Sequence, residues 1–120
     1  MQEKRKYPRF PFTATVRIVY ARGASLYATT ININGGGIGL YSSSAIDEGT
    51  TVRLDVMFKD IRGKDMMEMV KGKVVFSYKW HWVYVLGIKF DQLLNHEETP
   101  YLHEYIENCE KIMHLYEGNK

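Results

Sequence analysis

The sequence predicts an all-β fold with a C-terminal helix: a six-stranded antiparallel β-barrel capped by an amphipathic α-helix. Apolar and polar residues alternate over much of residues 12–90, which is typical of half-buried antiparallel strands. After residue 99 the apolar spacing lengthens to that of a helix. The 120 residues are enough for one domain. Six short strands would expose sheet edges, and closing them into a barrel removes those edges.

The six strands are expected near residues 12–20, 25–33, 38–43, 51–59, 66–78 and 82–90. Alternation is clearest where Val52, Leu54, Val56 and Phe58 face one way and the residues between them are mostly polar. Glycines at positions 23, 36, 49 and 63 interrupt the first half at spacings of 13, 13 and 14 residues. Because the intervening segments do not resemble one another, this spacing indicates hairpin turns and not an internal repeat.

The helix is predicted from an apolar stripe at helical spacing. Its members are Leu102, Tyr105, Ile106, Cys109, Ile112, Met113 and Tyr116. Thr99 and Pro100 fit an N-cap and a first-turn proline, and Asn95 with Glu98 offers a second possible start. Gly118 lies near the expected end. We expect the stripe to pack on the barrel.

The net charge of +2 conceals a basic N-terminus. Six of the 16 Lys and Arg residues lie within residues 1–22, where Glu3 is the only acidic residue. We expect residues 1–11 to be a flexible basic arm and residues 12–116 to be a single domain. Such an arm favours an anionic partner, although a solvated charge cluster is the plain alternative. With one cysteine and neither a secretory signal nor a membrane-length apolar stretch, the sequence predicts a cytoplasmic protein without an intrachain disulfide.

No catalytic or metal-binding motif is found in the sequence. No two of the four histidines have the i, i+4 spacing of a helical zinc site, so we interpret them as surface or cap residues. Cys109 occupies an apolar stripe position, where burial makes a thiol inert. The sequence therefore predicts neither an enzyme, a metal site nor a cofactor.

An aromatic run lies in the last two predicted strands. It comprises Phe76, Tyr78, Trp80, Trp82 and Tyr84. Alternation favours the barrel interior or hairpin pairing for much of this run, with Trp80 and Trp82 exposed near a turn.

Two short motifs point to ligand chemistry. Arg5 and Arg9 flank Pro8, which favours an extended segment and places the two arginines about 13 Å apart on one side. Guanidinium groups pair bidentately with phosphate and with guanine edges. The stretch 32–39, Asn-Ile-Asn-Gly-Gly-Gly-Ile-Gly, joins two strands. Its glycines permit positive φ and expose backbone N–H groups to a flat or anionic ligand, although for this stretch alone a glycine-rich hairpin turn is the favoured interpretation.

In this order, and ahead of a barrel and a helix, the two motifs resemble those of the PilZ domain, a bacterial receptor module for cyclic di-GMP. Arg5 and Arg9 match its R-x-x-x-R motif, and Asn32 and Gly37 match the ends of its [D/N]-x-S-x-x-G motif. The segments 72–76 and 84–90 resemble two late strands of the family. This chain departs from the pattern by having Asn32 in place of the usual aspartate and Asn34 in place of serine.

The resemblance implies that cyclic di-GMP is the ligand and that the arm folds over the barrel when it binds. The residues implied to bind are Arg5, Arg9, Asn32, Asn34, Gly36 and Gly37, with additional contacts from Lys4, Lys6 and Phe76. The ordered arm would create a surface for a downstream effector protein.

Two other functions stay open at this stage. The bulkier Asn34 amide could block the nucleotide, leaving a degenerate PilZ domain that binds proteins without a ligand. The basic arm and the aromatic residues also suit a barrel that binds single-stranded nucleic acid, but the small net charge argues against this, and we expect no long nucleic acid as partner. A homodimer through the terminal helix is an open alternative, and no membrane partner is expected.

Overall fold

The strands form one antiparallel sheet that curls into a barrel-like ring. The computed structural model describes residues 8–118, excluding the side chains of the last two. Its elements are β1 (Phe10–Pro11), β2 (Thr15–Tyr20), a 3-10 turn (Ala21–Gly23), β3 (Ala24–Asn34), β4 (Gly37–Ser42), β5 (Thr51–Lys59), β6 (Asp65–Trp80), β7 (Val83–Phe90) and α1 (Pro100–Gly118). The strand order is β1-β3-β2-β5-β6-β7-β4. The additional pairing of β3 with β4 closes the six strands from β2 through β7 into the ring. The predicted all-β fold with a C-terminal helix is confirmed.

The core consists of the inward-facing residues that the alternation marks. Val16 and Ile18 of β2, Leu54 and Val56 of β5 and Leu86 of β7 are completely buried. Full burial of each such side chain contributes about 1.5–3 kcal/mol of favourable transfer free energy. Since a one-residue slip would turn every one of these side chains to solvent, the core sets the register and hence which residues face outward.

The sheet begins earlier than the predicted domain boundary at residue 12. In β1, Phe10 pairs with Ile33 and Pro11 with Asn32 of β3, and Phe10 is buried. A two-residue strand shows no alternation, and Pro11 has no N–H to donate, so the pattern could not reveal it. Residues 1–7 lie outside the described residues, and with them the predicted arm side chains Lys4, Arg5 and Lys6.

The aromatic run divides at a β-bulge in β6. The register with β7 shifts between Val74 and Phe76, so that Phe76, Tyr78 and Trp80 all face outward. Of the run, Tyr84 alone packs against the core, so a position in the barrel interior is wrong for Phe76 and Tyr78. The alternative of hairpin pairing holds, since Tyr78 pairs with Val85 across the β6–β7 hairpin. A bulge reverses the parity of every later residue, which a period-2 pattern does not anticipate. The predicted exposure of Trp80 and Trp82 is confirmed.

Helix α1 is capped by a carboxylate from β6. The inward-facing Glu68 accepts hydrogen bonds from the backbone N–H groups of Tyr101 (3.0 Å) and Leu102 (2.8 Å). Thr99 precedes the helix as predicted, but its hydroxyl accepts from the N–H of Asn95 at 2.9 Å instead of capping α1. Glu68 thus satisfies two helix N–H groups and places negative charge at the positive end of the helix dipole.

The predicted apolar stripe packs against the core in part, and Met113 near its end is among the packed residues. Leu102 and Ile106 are buried, and burial raises the pKa of the half-buried Cys109 thiol. Ile112 and Tyr116 are 54% and 77% exposed, so the expectation that the whole stripe packs is wrong. A 19-residue helix is about 28 Å long and continues past the surface that its first turns cover. No helix within residues 8–118 has the length and apolarity of a membrane span.

The β5–β6 turn is organised by the buried carboxylate of Asp60, and we expect an acid-dependent stability from it. Its Oδ1 accepts from the N–H groups of Lys64 and Arg62, both at 2.9 Å. These hydrogen bonds, led by that of Lys64, hold the pKa of Asp60 below its usual range. The contribution is therefore present above the unfolded-state pKa and is lost as the pH falls through the lower folded-state value. Asp60→Asn should lower the free energy of unfolding at neutral pH and weaken its decline in acid.

Urea denaturation at neutral and acidic pH measures both effects. Asp65→Asn is the matched control, because that carboxylate is 89% exposed and forms an ion pair with the exposed Lys59. Equal pH profiles for the Asp60→Asn variant and the wild type would contradict the role of Asp60.

Candidate functional site

Three glycines leave a strip of bare backbone on the outer face of the ring. Gly37 and Gly39 alternate with the inward-facing Ile38 on β4, and Gly39 pairs in register with Gly87 on β7. We call Gly37, Gly39 and Gly87 the glycine floor. Without side chains, this strip lets other groups approach the main chain closely, and at Gly87 that group is the ring of Phe76.

Glycine is required here by close approach and not by positive φ. A Cβ at Gly37 would lie 2.6 Å from the carbonyl oxygen of Ile88, and one at Gly87 would lie 2.1 Å from the ring of Phe76. Positive-φ glycines among the described residues occur at positions 23, 49 and 63, outside the turn. The expectation that the glycines at 35–37 serve left-handed backbone is therefore not what the structure shows.

Substituting Gly37 should separate β4 from β7. We expect Gly37→Ala to lower the free energy of unfolding by about 1–3 kcal/mol, because the new methyl group meets rigid backbone. Gly35→Ala is the matched control, since a Cβ there meets nothing within 4 Å. Chemical denaturation of both variants tests this, and equal losses at the two positions would contradict the steric argument.

Two asparagines form one edge of the glycine floor. The Oδ1 atom of Asn34 accepts from the N–H of Gly36 at 2.8 Å, which closes the two-residue turn between β3 and β4. The Oδ1 atom of Asn32 lies 3.0 Å from the Cβ position of Gly39. Both side chains are half-buried, so their amide groups lie at the edge of the floor and still reach solvent.

Strand pairing brings Arg9 to this edge. Because Phe10 pairs with Ile33, the residue before it lies next to Asn34. Two neighbouring cavities of about 490 and 240 Å³ meet there, and both Arg9 and Phe76 line both of them. Asn34, Gly36 and Gly37 belong to the larger cavity, and Asn32 belongs to the smaller.

An aromatic wall stands opposite the asparagines. It comprises Tyr41, Phe76, Tyr78 and Trp80. The ring of Phe76 covers Gly87 and stacks on Tyr78 with a centroid distance of 5.9 Å. Tyr41 stacks on Trp80 at 6.4 Å. The β6 bulge turns the rings of Phe76, Tyr78 and Trp80 outward, and with Tyr41 of β4 they give the smaller cavity flat apolar surfaces.

Positive charge surrounds the larger cavity. Lys89 and Arg9 line it together with one acidic residue, Asp91. Lys73 is the register partner of Lys89 and shares its outward orientation. Four further residues that line the cavities belong to neither motif: Lys89, Gly39, Gly87 and Tyr41. The alternation of the strands could have indicated them, because each faces outward on β4 or β7, as Gly37 does.

The structure brings most of the implied ligand residues together. Those that line the two cavities are Arg9, Asn32, Asn34, Gly36, Gly37 and Phe76. The other three, Lys4, Arg5 and Lys6, lie outside the described residues.

A larger depression, of about 1110 Å³, lies elsewhere on the ring. Threonine and methionine side chains dominate its lining, and it contains none of the implied ligand residues that the structure describes. Its one cation, Lys59, is paired with Asp65 at 2.7 Å. Although this depression is larger, the described residues that line it do not offer the groups needed to recognise an anion.

The geometry of the floor agrees with the sequence comparison. A family model for the PilZ domain matches residues 3–107, most of the chain. The chain belongs to the PilZ domain family. This is a cyclic di-GMP-binding family. The described residues of its two motifs, Arg9, Asn32 and Gly37, line the two cavities. A comparison with curated protein sequences found no match.

Solved PilZ-domain structures share the fold. The PilZ domain with c-di-GMP of YcgR from Escherichia coli superposes with a TM-score of 0.66 and 12% identity, covering 98% of this chain and all of that one. Bacillus subtilis MotI/DgrA, an inhibitor of motility, superposes with a TM-score of 0.65 and 14% sequence identity over 92% of this chain. This chain spans 53% of the length of MotI/DgrA. The PilZ domain of CeSA from a cellulose-synthesizing bacterium superposes with a TM-score of 0.55 and 15% sequence identity, covering 86% of this chain and 98% of that one.

Proposed function

We propose that this PilZ protein is a cyclic di-GMP receptor that signals to a protein partner through its N-terminal arm. The observation that carries the proposal is the position of Arg9, which joins two cavities over a floor without side chains. We assign no catalytic step to the chain, and we propose that it acts in the cytoplasm.

The chemistry of the site suits a cyclic dinucleotide. Such a ligand has two flat guanines and two phosphates, and the two cavities offer a place for each half. Arg9 can pair bidentately with a phosphate or with guanine O6 and N7. Phe76 is positioned for base stacking, an interaction that typically contributes about 1–3 kcal/mol per base. The amides of Asn32 and Asn34 supply donors and acceptors at the edge of the floor.

The N-terminal arm supplies the remaining positive charge. Arg5 lies four residues before Arg9 and completes the R-x-x-x-R motif, with Lys4 and Lys6 beside it. We propose that the arm is flexible without ligand up to β1, where Phe10 and Pro11 pair with β3. Phosphate binding then holds the arm over the glycine floor, because charge-assisted hydrogen bonds offset the entropy of ordering it.

Two contacts connect the root of the arm to helix α1. The hydroxyl of Tyr105 donates to the carbonyl oxygen of Pro11, and its ring packs 5.0 Å from that of Phe12. Burial raises the pKa of Tyr105 to about 12, so this donor keeps its proton at physiological pH. We propose that closure of the arm is transmitted along this path to an effector surface, which includes the exposed second half of α1.

Titration calorimetry with cyclic di-GMP tests the receptor proposal. We expect saturable binding by the wild-type chain and no comparable heat with a single-stranded oligonucleotide at the same salt concentration. Absence of binding by the well-folded chain would overturn the proposal. Binding of the oligonucleotide alone, with strong salt dependence, would favour the nucleic-acid barrel.

A ligand-independent interaction module is the second candidate, favoured by the exposed apolar end of α1. The Asn34→Ser variant separates the two functions. A serine hydroxyl can close the same turn, although more weakly. If the wild type is a receptor, Asn34→Ser should retain binding. Cyclic di-GMP binding that appears only in Asn34→Ser would mean that the Asn34 amide blocks the nucleotide and would support the module.

A further inference from the structure

Two histidines and a carboxylate converge where the segment after β7 meets helix α1. The Nε2 atom of His103 lies 3.4 Å from Oε1 of Glu107, one turn further along the helix. The Nε2 atom of His96 lies 3.9 Å from the same oxygen, and the two imidazole rings are 4.1 Å apart. One potential ligand atom from each residue falls within a 4.8 Å cluster.

The ring of His103 is oriented by the backbone. Its Nδ1 atom lies 3.3 Å from the carbonyl oxygen of Leu94, which can accept a hydrogen bond but cannot donate one. Nδ1 therefore carries the proton in the neutral ring, and the lone pair of Nε2 points toward Glu107. Metal-binding histidines in proteins are commonly oriented in this way by a backbone carbonyl group.

We propose that His96, His103 and Glu107 form a binding site for a divalent transition metal ion of the zinc type. Tetrahedral zinc with bonds of about 2.0–2.1 Å separates its ligand atoms by about 3.3 Å. The His103–Glu107 distance already matches this separation, and the His96–Glu107 contact of 3.9 Å needs a contraction of about 0.6 Å. The ligand atoms of His96 and His103 lie within 4.8 Å of each other, so binding would also draw the two rings together. A donor set of two imidazoles and one carboxylate suits zinc, nickel or copper, whereas calcium and magnesium prefer oxygen ligands.

The surrounding charge also favours a cation. Residues 91–110 contain six acidic side chains and no lysine or arginine. The nearby Arg62 is held by Glu104, with two hydrogen bonds of 3.1 and 3.0 Å. The site has no two histidines at i, i+4, so its spacing is not that of a helical zinc motif: Glu107 takes the i+4 position after His103, and His96 comes from the preceding loop.

A bound ion would join two parts of the fold. His96 belongs to the segment between β7 and α1, and His103 and Glu107 belong to the helix. In the same segment, the N–H of Leu94 donates to the carbonyl oxygen of Gly35 at 2.9 Å. The ion would therefore fix the segment that connects the β3–β4 turn to α1. The proposed metal site uses none of the residues proposed to bind the nucleotide, so it does not depend on nucleotide binding.

Calorimetric titration of the untagged full chain with Zn²⁺ alone tests the proposal. We expect one ion per chain, and a loss of affinity in Glu107→Gln and His103→Gln at least as large as the 10–100-fold typical of removing an outer-shell partner. His96→Gln changes a side chain that is 75% exposed, so it provides a ligand variant with little risk to folding. His114→Gln, on the exposed side of the same helix, is the matched control and should bind as the wild type does.

Cobalt(II) absorption supplies a second readout. We expect d–d bands without thiolate charge transfer, and unchanged binding in Cys109→Ser. The proposal is overturned if the wild type shows no saturable binding, if His96→Gln and Glu107→Gln bind as tightly as His114→Gln, or if Cys109→Ser abolishes binding.

Discussion

Replacing Arg9 with alanine should weaken cyclic di-GMP binding by about 10–100-fold, because hydrogen bonds to a charged group typically contribute about 1.5–3 kcal/mol. Arg9 lines both cavities, so its loss removes a contact from each half of the ligand. The exposed side chain adds little to the core, and the variant should therefore fold normally. Calorimetry of the variant against the wild type measures the effect.

Arg22→Ala is the matched control for Arg9→Ala. Arg22 is equally exposed and carries the same charge, but it lies in the 3-10 turn after β2 and lines neither cavity. If the ligand senses only net positive charge, both variants should lose the same affinity, and the direct role of Arg9 would be contradicted.

Replacing Glu68 with alanine should lower the free energy of unfolding by about 3 kcal/mol. The substitution leaves the N–H groups of Tyr101 and Leu102 without their acceptor, and an unsatisfied buried group typically costs about 1–3 kcal/mol. Because Glu68 attaches the first turn of α1 to β6, we expect the helix to loosen before the ring unfolds. Urea denaturation followed by circular dichroism, with hydrogen exchange of the α1 amides, measures both effects.

Two variants control for this effect. Glu68→Gln keeps the volume but offers one acceptor oxygen in place of two, so its loss should be intermediate. Glu98→Ala removes an exposed carboxylate close to the same end of the helix and should change the free energy of unfolding by less than about 0.5 kcal/mol. If Glu68→Ala is no worse than Glu98→Ala, the carboxylate is not what attaches the helix.

The regular part of the fold could be predicted because it depends on local periodicity. Alternation such as that of Val52, Leu54 and Val56 marks an inward face wherever the strand lies. The PilZ motifs likewise located Asn32 and Gly37 at the β3–β4 hairpin before any geometry was known. Helix α1 was located by its 3.6-residue period for the same reason.

The remaining features depend on contacts between distant residues, which no local pattern encodes. In the sequence, Glu68 cannot be distinguished from other polar strand residues. Its role as a helix cap depends on the contact between β6 and Tyr101, 33 residues later. The outward turn of Tyr78 depends on a bulge. The histidine cluster exists because His96 folds back on the helix that carries Glu107. In each case a polar or aromatic side chain acquires its role from a partner that the chain supplies only after folding.

Backbone amide NMR shifts of the ¹⁵N-labelled full chain, recorded during titration with cyclic di-GMP, test most directly whether the glycine floor is the ligand site. We expect saturable shifts that are largest at Gly36, Gly37, Gly39 and Gly87 and at the side-chain amides of Asn32 and Asn34. Gly49 and Gly63, in turns that line neither cavity, should not move. Unchanged spectra, or shifts centred on the larger depression of about 1110 Å³ while the floor glycines stay still, would contradict this assignment.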